Sequence, residues 1–96
     1  MSKKNEIIRN IENKIDEVDR ELSSLDTKLE KANEDVRHTW ESNKLELREK
    51  RSELSHRLQE AQNASEDMLD EIQSQVKGLA DSIESGFKSI KDKLVS

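Results

Sequence analysis

The sequence predicts an all-α protein: a long, rod-like coiled-coil helix, with residues 61–66 as the place for a bend or break. Three observations carry this. Between residues 8 and 36 the apolar positions are Ile8, Ile11, Ile15, Val18, Leu22, Leu25, Leu29, Ala32 and Val36, alternating gaps of three and four. That is a heptad seam, and a helix carrying it must bury it against another helix. Of the 96 residues, 30% are hydrophobic, 2% aromatic and 41% charged, too few apolar groups to fill a globular core. With no proline and two glycines, long helices meet few breakers.

The chain divides into three stretches. Residues 1–36 form the heptad coiled-coil segment. Ser2 or Asn5 is placed to cap its start. Glu12, Asp19 and Asp26 flank one side of the seam as an acidic row; Lys14, Glu21 and Lys28 flank the other. In a parallel dimer one flanking pair attracts and another repels, so antiparallel packing or more helices stay open.

Residues 37–62 read as a charged, weakly packed helical middle. Trp40 follows Val36 by four residues, a stutter in the repeat. Beyond it, Leu45, Leu47, Leu54 and Leu58 are the apolar support. Net charge runs −3 over residues 1–36, +2 over 37–57 and −4 over 58–96. That alternation invites antiparallel contact between the middle and either arm. Asp16/Arg20, Glu46/Lys50, Glu53/Arg57 and Glu84/Lys88 are acid-first i,i+4 pairs, each supporting a helix by roughly 0.2–0.5 kcal/mol. Asn63 with Glu66, and Ser65 with Glu66 and Asp67, read as helix starts.

Residues 63–96 form an amphipathic helix with an eleven-residue repeat. Ser65, Val76 and Phe87 keep that spacing, as do Met68, Leu79 and Ile90; Ile72, Ile83 and Leu94; and Leu69 and Ala80. Such a repeat keeps the stripe nearly straight. Gly78 and Gly86 lie inside this helix, at roughly 1 kcal/mol each against alanine.

No nucleophile motif, glycine-rich phosphate loop or enclosing core is evident, so no catalytic residues, cofactor or enzyme activity is expected. His38 and His56 lie about 27 Å apart along a helix and do not share a metal. Glu53, His56 and Glu60 have ligand spacing, but a solvated salt-bridged face has it too, so no metal is assigned. The cysteine-free chain has no disulfide framework, and no signal peptide or membrane span is read, so a soluble cytoplasmic protein is expected. A net charge of −5 opposes nucleic-acid binding.

The run Lys44-Leu45-Glu46-Leu47-Arg48-Glu49-Lys50-Arg51, then Ala61-Gln62-Asn63-Ala64-Ser65-Glu66-Asp67 and the closing Val76-Lys77-Gly78-Leu79-Ala80…Phe87, resembles small bacterial coiled-coil proteins with apolipoprotein-type helices. The resemblance implies a cytoplasmic helical protein. Where that family carries tryptophans in the C-terminal helix, this chain has Met68 or Leu69 and Ile83.

The interface residues expected are Ile8, Ile11, Ile15, Val18, Leu22, Leu25, Leu29, Val36 and Trp40 in the first half. In the second they are Ile72, Val76, Leu79, Ile83, Phe87, Ile90 and Leu94. The function expected is structural: a coiled-coil adaptor or spacer that forms a homo-oligomer or packs on a helical partner protein. Two alternatives stand behind it. One is adsorption of the C-terminal amphipathic helix to a lipid or granule surface, which its acidic balance opposes. The other is a small helical regulator of an enzyme or channel.

Overall fold

The computed structural model describes residues 2–95. Three helices follow one another: α1 Lys3–Leu29, α2 Glu34–Asn63 and α3 Glu66–Val95. Helices of 27, 30 and 30 residues are about 40–45 Å long. The longest dimension is 48 Å and the other two are 18 Å, so the helices lie side by side along one axis. The radius of gyration of 15.3 Å exceeds the roughly 12–13 Å of a compact chain this long. The fold is all-α and elongated, and its length is that of one helix.

The α1 start is set by Ser2, whose Oγ accepts the Asn5 N–H at 3.2 Å. Its end departs from expectation. The heptad seam runs on to Val36 in the sequence, but the helix stops at Leu29. Glu30 is still right-handed helical, and Asn33 is extended and caps α2 by accepting the Val36 N–H at 3.0 Å. Lys28 closes α1, while Glu34 and Asp35 open α2, each charge suited to its helix end. An uninterrupted helix would leave the α1 stripe without cover within the chain. The turn supplies that cover from α2.

The second turn lies inside the stretch where a break was expected. Ala64 is extended and donates its N–H to the Ala61 carbonyl at 3.4 Å. Ser65 accepts the Met68 N–H through its carbonyl at 3.1 Å, and Glu66 and Asp67 open α3.

Each helix turns a stripe toward the common axis. α1 buries Ile7, Ile11, Ile15, Val18, Leu22, Leu25 and Leu29, and α2 buries Trp40, Leu47, Leu54 and Ala61. α3 buries Leu69, Ile72, Ala80, Ile83, Phe87 and Ile90. The middle stretch, read as weakly packed, thus contributes a buried row spaced by seven, with Leu54 at 0% exposure. Its narrowness misleads: one apolar residue every two turns suffices for a helix clamped between two others.

Candidate interaction site

Ile8, Ile11, Ile15, Val18, Leu22, Leu25, Leu29, Val36, Trp40, Ile72, Val76, Leu79, Ile83, Phe87, Ile90 and Leu94 all join one intramolecular core, either buried or packed against it. Within the chain, the two halves of the predicted interface serve each other. Ile8 is only half-buried, and its neighbour Ile7 takes the inner position. Leu47, Leu54 and Ala61 were missed as seam residues. Their spacing of seven from Trp40 was the available signal. Met68, assigned to the eleven-residue stripe, is 49% exposed, while Leu69 beside it is buried.

The flanking charges set which helix lies where. On the α1/α2 side, Arg51 holds Asp19 with two hydrogen bonds of 2.9 Å, and Lys44 Nζ donates to Asp26 Oδ2 at 2.7 Å. These pairs descend on one helix as they ascend on the other, so α1 and α2 are antiparallel. They are also the acidic-arm-to-basic-middle contacts that the charge alternation invites. On the α1/α3 side, Lys3 pairs with Asp70 and Glu21 with Lys91, which makes those helices parallel. Between α2 and α3, Lys50 Nζ donates to Ser82 Oγ at 2.7 Å.

Asp26 is the most connected of these groups. Its other oxygen accepts the Trp40 indole N–H at 2.8 Å. Partial burial pushes its carboxyl up. The hydrogen bonds from Lys44 and Trp40, with the positive charges of Lys44 and Arg48, outweigh this and hold it below the usual carboxylate range. Trp40 is thus more than bulk at a stutter: it is 4% exposed, and its polar edge is tied to α1 at the turn end of the bundle. The Arg51 guanidinium is raised by its hydrogen bonds to Asp19, against partial desolvation and with the charges of Asp19 and Asp16.

Between α1 and α3 an open groove of about 490 Å³ exposes the edges of Val18, Ala80, Ile83 and Phe87. Its rims carry both signs, with Lys14, Glu17 and Glu21 on α1 and Glu84, Lys88, Lys91 and Asp92 on α3. Opposite charges alternate along it, so it is not an anion or cation trap. His56 faces Glu60 at 3.4 Å, and Glu60 also pairs with Arg57. Among the described residues, no three histidine or acidic side chains gather as metal ligands. No helix among them is long and apolar enough to cross a membrane.

No protein-family model matches this chain, and no curated protein or solved structure matches it either.

Proposed function

We propose that this chain is a structural interaction protein of the cytoplasm, a coiled-coil adaptor or spacer that self-associates or receives a helical partner protein. One observation carries the reading: among the described residues the large apolar side chains other than Leu45 and Met68 are buried in, or packed against, a single longitudinal core along a 48 Å bundle. Such a layout gives length and rigidity and leaves a charged outer surface, the usual rim chemistry of protein contacts. A cysteine-free chain requires no oxidising compartment. Adsorption to lipid ranks below this, because α3 would first have to withdraw Ile72, Ile83 and Ile90 from the core.

The outward face of α2 is the place to test. Leu45 is 66% exposed there, flanked by Glu41, Arg48 and Glu49. Native cross-linking with mass spectrometry should place partner contacts on such outward residues. Leu45→Asp with Arg48→Glu should then abolish capture while leaving helix content unchanged. Contacts confined to the buried stripe, or capture indifferent to every outward substitution, would overturn the reading.

A further inference from the structure

We infer that residues 30–33 are a hinge through which two copies of this chain exchange α1, each first helix packing on α2 and α3 of the other copy. This deepens the self-association proposed above by naming the partner as a second copy and the exchanged element as α1.

The argument starts from phase. A hairpin turn leaves the stripes of its two helices free to start at unrelated angles. Here they do not. At roughly 100° per residue, an uninterrupted helix would carry Ile7, Ile11, Val18, Leu25, Leu29, Trp40, Leu47, Leu54 and Ala61 within a band about 60–80° wide. Leu29 and Trp40 are eleven residues apart, about three turns, and so fall on one face across the break. Ala32 and Val36 fall on or beside the same band, inside and just after the turn. The buried stripe of α1 and α2 is thus written as one helix.

The turn itself holds nothing that forbids that helix. It has no glycine or proline, and no described residue has a positive φ. Glu30 is already in the right-handed helical region, and Asn33 is the extended residue to be converted. Opening breaks the Ala32 N–H to Leu29 carbonyl bond and the Asn33 cap on Val36. It returns the regular ladder through residues 30–36.

A second copy also improves the cover. Ala32 and Val36 are half-buried in the closed turn. In the exchanged pair they lie where the two long helices meet, beside the two-fold axis that the Asp19–Arg51 and Asp26–Lys44 register sets near residue 35. Every other contact of α1 with α2 and α3 is remade between copies, including Asp19–Arg51 and Asp26–Lys44, while α2–α3 contacts such as Lys50–Ser82 stay within each copy. Exchange thus changes the free energy only at the hinge and through concentration, the usual basis of domain swapping. It converts the 48 Å bundle into a rod built on a continuous helix of roughly 90 Å.

The full chain tests this after refolding from denaturant at millimolar concentration. Sedimentation should resolve a species of twice the 11.1 kDa chain mass beside the monomer. Asn33→Ala, which removes the cap and favours helix through the hinge, should raise the dimerisation constant at least about fivefold. Two glycines inserted after Ala32 should lower it. With no native cysteine, Asp19→Cys chains mixed with Arg51→Cys chains and bridged by a short bis-maleimide report the pairing directly. The expected product is a cross-chain 19–51 link in the dimer fraction. Persistent monomer for both the parent chain and Asn33→Ala would overturn the inference. So would a dimer fraction in which no cross-chain 19–51 link forms, since that is two closed bundles side by side. Either failure leaves the adaptor reading standing, because capture through the outward face of α2 is measured separately.

Discussion

Gly78 and Gly86 sit two turns apart on α3 and should respond oppositely to the same substitution. Alanine at either position gains the same intrinsic helix preference, roughly 1 kcal/mol over glycine. A Cβ at Gly78 meets nothing within 4 Å, so Gly78→Ala should keep that gain. For a domain of this size, roughly 1 kcal/mol raises Tm by about 4–8 °C. A Cβ at Gly86 lies 2.9 Å from Leu47 Cδ2 and 3.6 Å from its Cγ. Leu47 is 2% exposed, so either its end shifts out of its packed position or α2 and α3 separate locally. Overpacking of this kind costs about 1–3 kcal/mol, which cancels or exceeds the helix gain. Gly86→Ala should therefore be neutral to roughly 2 kcal/mol destabilising. Urea unfolding followed by Trp40 fluorescence, at concentrations where the chain is monomeric, measures both. A double-mutant cycle with Leu47→Ala should show a coupling of at least about 0.5 kcal/mol for Gly86→Ala and none for Gly78→Ala. Equal stabilisation by both alanines, or no coupling to Leu47, would refute the close approach of α2 to α3 at this point.

Leu54→Ala empties a site at 0% exposure and should cost about 2–5 kcal/mol, whereas Leu45→Ala on the outer face should stay within about 0.5 kcal/mol; equal thermal shifts would contradict the packing of α2. The lowered Asp26 carboxyl contributes stability that is fully present above the ordinary carboxylate value of about 4 and is lost as pH falls through the lowered folded value. Asp26→Asn should flatten that acid limb while costing under about 1 kcal/mol at pH 7, because the side chain is 41% exposed and screened; an unchanged limb in acid-unfolding curves would show that other carboxylates set it. Trp40→Phe keeps the aromatic bulk but drops the hydrogen bond to Asp26, so unfolding by circular dichroism should show a loss of about 1 kcal/mol, and a loss of several would mean the indole is chiefly packing.

The sequence by itself determined the helical class, because the three-four spacing from Ile8 to Val36 and the eleven-residue spacing of Met68, Leu79 and Ile90 fit no other backbone period. It also marked where a second turn could fall, because Asn63, Ser65, Glu66 and Asp67 crowd cap and first-turn residues into one place, but with no glycine or proline there a continuous helix was equally allowed. The complementary charges of arm and middle were legible too, and Asp19–Arg51 and Asp26–Lys44 realise them. The first turn was decided only in three dimensions. The seam reads through Leu29, Ala32 and Val36 without error, and the cap that Asn33 supplies ahead of Glu34 and Asp35 was not read from the sequence. A continuous helix and a capped turn differ locally by about one hydrogen-bonded cap, on the order of 1 kcal/mol. The burial of Leu29, Trp40, Leu54 and Ile90 in the shared core is worth several times that. Periodicity specifies that a stripe be covered but is silent on what covers it. Here the cover is the chain's own second and third helices, since chain connection makes that contact local, whereas a second molecule must be recruited at the cost of free translation.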